Sequence, residues 1–203
     1  MKRVGTWMLP DQEQHLEEWI NRAGDYQTPH RENALKHVTK WDCAIDVGGH
    51  VGLWSRDFCL KFKEVHAFEP VAEHRECFVE NVKGNYTLHP VALGDKEGFV
   101  KMATEAHSTG GTHIDPGVEG DIPLKVLDSY NLSPDFMKLD CEGYEIYVLK
   151  GAVETLLRCK PIICIEQKPH SYFGNPQYAA GEYLMSLGAK PLSAVVDDIV
   201  FGW

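Results

Sequence analysis

The chain has 203 residues, of which 43% are hydrophobic and 25% are charged, a length and composition that suit one compact domain with a full core. Its formal net charge of −10 and the lack of any run of Lys or Arg argue against binding to a phosphate backbone, so nucleic acid is not an expected substrate. The sequence shows neither a signal-peptide pattern nor a segment that approaches a membrane span, so a cytoplasmic protein without a membrane partner is expected.

The first forty residues predict two helices. Residues 11–23 place Leu16, Trp19 and Ile20 on one face, which is typical of an amphipathic helix with Asp11 as its N-cap and its end near Gly24. A second helix is predicted over residues 30–38. Residues 1–40 are therefore expected to form an N-terminal helical extension that packs on a domain formed by residues 41–203.

From residue 43 onward, predicted strands alternate with predicted helices. The strands are expected over 43–47, 64–69, 86–93, 135–140 and 161–166, and the helices over 52–62, 72–83, 144–158 and 177–187. Strands separated by helical patterns of about ten to fifteen residues indicate βαβ units and a parallel, Rossmann-like sheet. Residues 191–203 contain two apolar runs around Asp197 and Asp198, which predict a C-terminal antiparallel hairpin.

The regular alternation of predicted strands and helices is interrupted between the third and fourth of these strands. A turn is expected at 94–98 and a short strand at 99–104, whereas residues 107–117 contain too many glycines and polar residues for a regular element. A long loop inside a compact domain is usually functional or disordered. The six cysteines lie in predicted strands and helices without C-x-x-C spacing, so reduced and mostly buried thiols are expected.

A glycine-rich turn between the first alternating strand and its helix is the most informative motif. Glycines allow a tight turn and close approach of a ligand, and the helix that follows presents free N–H groups to negative charge. The spacing is not the dinucleotide pattern G-x-G-x-x-G, because His50 and Val51 stand where the second and third glycines would be. The spacing of Asp46, Gly48 and Gly52 instead resembles motif I of class I S-adenosylmethionine (SAM) methyltransferases.

The next strand ends in Glu69, whose carboxylate could accept hydrogen bonds from both hydroxyls of a ribose. An acid about twenty residues after a glycine loop is also the pattern of NAD-binding proteins. Glu69 therefore indicates ribose binding without identifying the cofactor.

Seven short blocks in order resemble the FkbM family of methyltransferases and cover roughly residues 43 to 166. Each block is weak evidence alone, but seven in the same order are specific. They stand at 46–52, 67–70, 92–95, 127–128, 138–145, 148–152 and 161–166. Cys141 and Tyr144 depart from the valine and alanine that are usual in the family, which leaves substrate shape the least certain part of the resemblance.

The resemblance implies a class I fold with a seven-stranded, mainly parallel sheet, SAM as cofactor and S-adenosylhomocysteine as product. It also implies methyl transfer to a hydroxyl of a sugar, glycan or other small molecule. The expected cofactor-binding residues are Asp46, Gly48, Gly49, His50, Gly52, Glu69, Pro70, Val91, Ala92 and Asp140.

Three acids follow neighbouring strands at the edge where open α/β sheets bind ligands, namely Asp140, Glu142 and Glu166. Such a cluster could supply a general base, bind a divalent cation or hold the ammonium group of the cofactor. The alternative is that these acids only cap helices or pair with Lys138 and Lys168. We predict that Asp140 and Glu142 bind and deprotonate the acceptor with support from Glu166; a divalent metal is the less favoured alternative, and no metal ligand is assigned.

Two other functions stay open at this point: a catalytically silent module that binds SAM or a nucleoside, and an NAD-dependent oxidoreductase, against which His50 counts. His113, in the glycine-rich loop, is a weaker candidate for the base. Tyr26, Gln27 and Arg31 follow a helix that could lie over the cofactor, and solvent-facing packing is expected for them. The sequence does not indicate an oligomeric state.

Overall fold

The computed structural model of the chain describes residues 1–105, 107–169 and 172–203. Its strands are β1 (Lys2–Val4), β2 (Trp7–Leu9), β3 (Cys43–Val47), β4 (Glu64–Phe68), β5 (Tyr86–His89), β6 (Ala92–Leu93), β7 (Gly98–Val100), β8 (Met102–Glu105), β9 (Ser108–Ile114), β10 (Ile122–Lys125), β11 (Phe136–Leu139), β12 (Ile162–Glu166), β13 (Lys190–Val195) and β14 (Asp198–Gly202). Its α-helices are α1 (His15–Ala23), α2 (Thr28–Leu35), α3 (Leu53–Phe58), α4 (Ala72–Asn81), α5 (Glu145–Lys150), α6 (Val153–Cys159) and α7 (Ala179–Ser186), and a 3-10 helix covers Leu127–Tyr130.

The main sheet has seven strands in the order β13-β14-β12-β11-β3-β4-β5. All neighbouring strands from β12 to β5 pair in parallel, and β14 pairs antiparallel with both β12 and β13. The predicted Rossmann-like sheet and its C-terminal antiparallel hairpin are thus confirmed. No described helix is long and apolar enough to cross a membrane.

The middle of the sheet is apolar because helices cover it on both faces. Every residue of β3 and β11 is buried, as expected for central parallel strands. The chain order reverses between β3 and β11, since β4 continues the sheet on one side of β3 and β11 on the other. Ligands in open α/β sheets bind at such a switch point, beyond the carboxyl ends of the strands.

The predicted strand over 86–93 is divided between two sheets. β5 belongs to the main sheet, whereas β6 pairs with β10 in a separate three-stranded sheet that also contains β7. Pro90, which has no N–H to donate, stands between them. The predicted helix over 144–158 is also divided, because Asp128 accepts hydrogen bonds from the amides of Glu154 and Thr155 and so starts α6 as a new helix.

The expectation that residues 107–117 are irregular is wrong. β9 covers Ser108–Ile114 and forms an antiparallel hairpin with β8. The hydroxyl of Thr112 donates to the carbonyl of Thr109 at 2.7 Å and lies 3.2 Å from the hydroxyl of Thr104 across the hairpin, and Thr109 is fully buried. β-Branched residues favour a strand even where glycines surround them.

The first forty residues are not helical throughout, because β1 and β2 form a hairpin before α1. Trp7 and Leu9 of this hairpin are buried in one hydrophobic cluster with residues of the main sheet, including Ala44 and Phe136. The side-chain amide of Asn81, at the end of α4, donates to the carbonyl of Met8 and accepts from its N–H. The N-terminal segment therefore shares a core with the sheet, and the division at residue 40 stays a prediction.

α1 begins later than predicted. The carboxylate of Glu13 accepts a hydrogen bond from the amide of Leu16 at 2.8 Å and satisfies the first turn, whereas Asp11 pairs with the terminal ammonium group.

All six cysteines are free, as predicted, but only Cys43, Cys77 and Cys164 are fully buried.

Candidate functional site

Two cavities lie side by side at the carboxyl edge of β3, β4, β11 and β12. The first has a volume of about 550 Å³ and the second about 1020 Å³, both including the open space at their mouths. Gly48, His50, Gly110 and Asp140 line both cavities. Of the other residues predicted to bind cofactor, Glu69, Pro70, Val91 and Ala92 line the first cavity, and Asp46 and Gly49 line the second.

Gly48 is required by a close approach of two backbone segments. Its φ is +77°, and a Cβ at this position would lie 1.9 Å from the carbonyl oxygen of Asp140. The amide of Asp140 also donates to the carbonyl of Val47, so the ends of β3 and β11 are held together here. A side chain at residue 48 would therefore force these two strand ends apart, in addition to entering the cavities that Gly48 lines.

Gly52 lines neither cavity, which does not support its predicted contact with the cofactor. Its φ is +90°, and a Cβ would lie 2.3 Å from a methyl group of Val82. Gly52 is needed because the start of α3 packs against the end of α4. At Gly49, by contrast, a Cβ would make ordinary contacts of 3.4 Å with Phe78 and 3.5 Å with Ala67.

Glu69 is buried and connects the glycine loop to the start of α4. One carboxylate oxygen accepts a hydrogen bond from the amide of His50 at 2.8 Å, and the other accepts from the amide of Val71 at 2.8 Å and contacts the His74 ring at 3.2 Å. Burial acts to raise the pKa of Glu69, but the bonds from His74 and Val71 outweigh it and lower that pKa below its usual value. The ionised carboxylate lines the first cavity, where it can accept a further hydrogen bond from a ribose hydroxyl.

The β8–β9 hairpin is attached over this cavity by a buried chain of polar groups. Both the amide and the hydroxyl of Thr109 donate to Glu13 at 2.6 Å, and the Thr109 hydroxyl oxygen lies 2.8 Å from Nε2 of His50. Since the Thr109 proton goes to Glu13, Nε2 of His50 is the donor to Thr109. Burial, followed by the neighbouring His74, lowers the pKa of His50 to about 3, so the ring is neutral at physiological pH.

The hydrogen bonds of the Asp46 carboxylate indicate whether the second cavity suits SAM. It is 1% exposed, and one of its carboxylate oxygens accepts the Ser55 hydroxyl proton at 2.6 Å. Its other oxygen, Oδ1, is buried with no hydrogen-bond partner among the described residues. A buried acceptor in a cavity that Gly48 also lines suits a ligand that carries N–H or ammonium donors, as the methionine part of SAM does.

Asp140, Glu142 and Glu166 converge in the second cavity, as the sequence predicts. One carboxylate oxygen from each residue lies within 4.8 Å of the other two. Glu142 has a φ of +53°, which a non-glycine residue seldom adopts. The turn is fixed by the carboxylate of Glu145, which accepts hydrogen bonds from the amides of Cys141 at 2.7 Å and Gly143 at 3.2 Å.

Two lysines compensate part of the charge of this cluster. Nζ of Lys138 lies 3.0 Å from Asp140, and Lys168 forms an ion pair with Glu166. The pairing with Lys138 and Lys168 that the sequence offered as the alternative to a functional role is therefore present, together with the predicted convergence of the three acids. Burial acts to raise the pKa of Asp140, but Lys138 and Lys168 lower it below the usual range. The pKa of Glu142 is raised to about 9 by burial and by the charges of Asp140 and Glu166.

The N-terminal residues lie closer to the site than expected. Tyr26 and Gln27 line the second cavity, and the Gln27 side chain accepts the indole proton of Trp54 at 2.8 Å. Arg31 is 2% exposed and pairs with Asp25 and Asp57, so the expectation that it faces solvent is wrong, whereas Tyr26 and Gln27 are half-buried. The pattern of residues 15–31 did not reveal these contacts because they depend on how the N-terminal segment folds over the sheet.

His113 does not lie where the alternative general base would have to be. Its ring stacks on that of Tyr172 with centroids 3.7 Å apart, its Nδ1 lies 3.0 Å from the carbonyl oxygen of Gly111, and it lines neither cavity.

A second group of potential metal ligands, Cys43, Glu64 and His66, lies near the amino ends of β3 and β4, at the opposite edge of the sheet.

Comparison with known proteins gives consistent results. Residues 46–190 match the family model described as the methyltransferase FkbM domain. A curated relative, the hexuronic acid methyltransferase AglP of Haloferax volcanii, is 27% identical over 135 residues, which are 62% of this chain and 54% of that protein. The chain thus spans about half the length of this relative.

Two solved structures show the same fold. Methyltransferase FkbM from Methylobacillus flagellatus aligns with a TM-score of 0.52 at 18% identity over 80% of this chain and 44% of that chain. Precorrin 8w decarboxylase from Methanobacterium thermoautotrophicum aligns with a TM-score of 0.57 at 13% identity over the whole of both chains. At these identities the alignments are evidence for the fold alone.

Proposed function

Because this chain belongs to the FkbM methyltransferase family, whose model matches residues 46–190, we propose that it transfers the methyl group of SAM to a hydroxyl of a sugar or other small molecule. The observation that carries the proposal is the meeting of two cavities at Gly48, His50 and Asp140, directly beside three convergent carboxylates. A cofactor that spans both cavities would present its reactive centre to this cluster.

The residues of the first cavity suit the nucleoside half of the cofactor. Glu69 would accept a hydrogen bond from the ribose, and Val91 and Ala92 would contact the nucleoside, in a cavity that Phe68 and Leu93 also line. On the other side of the glycine loop, Oδ1 of Asp46 and the carboxylate of Asp140 would hold the ammonium group. When bound, SAM supplies a methyl group already activated by the positive sulfur.

The chain itself must orient the acceptor hydroxyl and take its proton. Glu142 suits the second task, because a carboxylate whose pKa is raised to about 9 is a stronger base than an ordinary one once it has ionised. Asp140 is kept ionised by Lys138 and accepts the hydroxyl hydrogen bond that orients the acceptor. Glu166, paired with Lys168, maintains the charge that raises the pKa of Glu142.

The name of the Haloferax relative supports a sugar as the acceptor class. Since the shared segment is only about half of that protein, its substrate is a guide to chemical class and no more. A cytoplasmic location stays a prediction from the sequence.

Transfer of an isotope-labelled methyl group from SAM to a panel of sugars tests the proposal. Glu142→Gln should lower turnover by roughly a hundredfold or more while SAM still binds, as expected for loss of a general base. The matched control is Glu119→Gln, which removes an exposed carboxylate that lines neither cavity and should leave turnover unchanged. Bound SAM without transfer to any acceptor would favour a silent binding module, and equal turnover in both variants would contradict the role of Glu142.

A further inference from the structure

A third cavity continues the site outward beyond Glu166. It has a volume of about 1350 Å³ including its mouth, and it shares Tyr26, Gln27, Glu166 and Lys168 with the second cavity. We call it the outer cleft. Residues 19–30 form one wall, and residues 196–198, in and after the turn between β13 and β14, form the other. An acceptor that reaches Glu142 has room to lie in this cleft.

Aromatic side chains give the outer cleft a surface that suits a sugar ring. Trp19 is 42% exposed, and its ring centroid lies 5.9 Å from that of Tyr26. Both rings line the cleft together with Pro29 and His30. Exposed aromatic rings beside polar groups bind ligands that have both an apolar face and hydroxyls.

Most of the ionisable side chains that line the second cavity and the outer cleft are acids. Among the described lining residues there are eight acids, Asp25, Asp46, Glu105, Asp140, Glu142, Glu166, Asp197 and Asp198, but only two lysines, Lys138 and Lys168. Burial together with the charges of Asp140 and Glu166 raises the pKa of Glu142 to about 9 and that of Asp198 to about 7. Glu142 therefore keeps its proton at neutral pH, and the negative charge of the site comes from the other acids.

The positive charges of the site are already balanced by carboxylates. Lys138 pairs with Asp140 at 3.0 Å, and Lys168 pairs with Glu166. Arg31, behind the cleft wall, pairs with both Asp25 and Asp57. An anionic ligand would therefore meet cations whose charge is already compensated, beside further acids.

A buried histidine in the wall of the outer cleft adds no positive charge. Nδ1 of His30 is buried without a partner among the described residues. Desolvation, followed by Arg31 and Lys168, lowers the pKa of this histidine, so its ring does not supply a positive charge to the cleft.

From these observations we propose that the acceptor is an uncharged or amine-bearing sugar whose ring lies against Trp19 and Tyr26, and that the site disfavours acidic sugars such as hexuronates. This inference rests on the proposed function and narrows its substrate class. It also separates this chain from the acceptor that the name of its Haloferax relative indicates.

The test compares matched sugars that differ in one group: methyl glycosides with a neutral hydroxymethyl group, the corresponding uronates, and the corresponding amino sugars. Gluco, galacto and manno forms are used so that ring configuration does not decide the result. Binding to the full chain saturated with S-adenosylhomocysteine is measured by calorimetry, independently of turnover. The neutral and amino sugars should bind at least tenfold more tightly than the uronate of the same configuration, and added salt should narrow the difference.

Charge-reversed variants locate the effect. Asp197→Lys, in the cleft, should reduce the ratio of neutral-sugar affinity to uronate affinity at least threefold. Asp121→Lys replaces an exposed acid outside both cavities and changes the net charge equally, and it should leave this ratio unchanged. Asp197→Asn serves if the lysine variant does not fold. Trp19→Ala should weaken binding of all the sugars by a similar factor.

Uronates that bind as tightly as neutral sugars, or no sugar binding at all, would overturn the inference. A preference that Asp121→Lys narrows as much as Asp197→Lys would also overturn it, because the effect would then come from net charge alone. Failure of the proposed function is a different result, since SAM itself would then not bind, or SAM would bind without methyl transfer to any acceptor.

Discussion

Gly48→Ala is expected to destabilise the fold, and a matched glycine allows the cause to be isolated. Gly48 and Gly117 have the same φ of +77°. At Gly48 a Cβ would lie 1.9 Å from the carbonyl oxygen of Asp140, whereas at Gly117 nothing lies within 4 Å. Alanine at either position pays the same backbone strain, but only alanine at 48 meets another strand.

The two variants are expected to lose clearly different amounts of folding stability. The left-handed backbone costs an alanine about 1–2 kcal/mol at both sites. At residue 48 the contact must open by more than 1 Å to reach 3.0 Å, and both partners are backbone at the junction of β3 and β11. Overpacking of this kind costs typically about 1–3 kcal/mol, and we expect the upper end because neither group is a flexible side chain. In a domain of this size, a difference of about 3 kcal/mol corresponds to roughly 6–12 °C in Tm.

Thermal and denaturant unfolding of the wild type, Gly48→Ala and Gly117→Ala measure this difference directly. Gly117→Ala should lower the free energy of unfolding by about 1–2 kcal/mol, and Gly48→Ala by about 3 kcal/mol more. If the two variants unfold within about 0.5 kcal/mol of each other, the close approach of Gly48 to Asp140 would be refuted.

Three further outcomes are expected. Glu69→Gln leaves one acceptor oxygen for the amides of His50 and Val71, so SAM should bind roughly tenfold to a hundredfold more weakly by calorimetry, whereas Glu76→Gln on the exposed face of α4 should bind it normally. Thr109→Val removes the hydroxyl bonded to Glu13 and His50 and should make the β8–β9 hairpin more sensitive to limited proteolysis; unchanged cleavage would contradict the attachment. Glu142 keeps its proton in the folded chain from its ordinary pKa of 4.5 up to about 9, so stability should fall as the pH rises through that window, and Glu142→Gln should flatten the fall.

The elements that the sequence predicted well have a strong local pattern. The strands at 43–47 and 161–166 and the alternating helices are recognisable because central parallel strands are near-continuous apolar runs, here interrupted only by Asp46 and by the terminal Glu166. The convergence of Asp140, Glu142 and Glu166 followed from strand order, since acids after neighbouring parallel strands meet at one edge of the sheet.

What the sequence did not reveal depends on contacts between distant segments. Residues 108–114 pair with β8 and are held to the N-terminal segment by the bond from Thr109 to Glu13, 96 residues earlier in the chain, which no local pattern indicates. Residue 48 must be a glycine because a Cβ there would collide with Asp140, and residue 52 because a Cβ there would collide with Val82. The glycine motif therefore reflects packing within the protein as much as the approach of a ligand. Likewise, the burial of Arg31 follows from its partners Asp25 and Asp57 in the folded chain.

Calorimetric titration of the chain with SAM, S-adenosylhomocysteine and NAD tests the central claim most directly, because it asks which cofactor fits the cavities that meet at Gly48 and Asp140. We predict that SAM and S-adenosylhomocysteine each bind at one site per chain, that Glu69→Gln weakens both, and that NAD does not bind. Binding of NAD without binding of SAM would contradict the account.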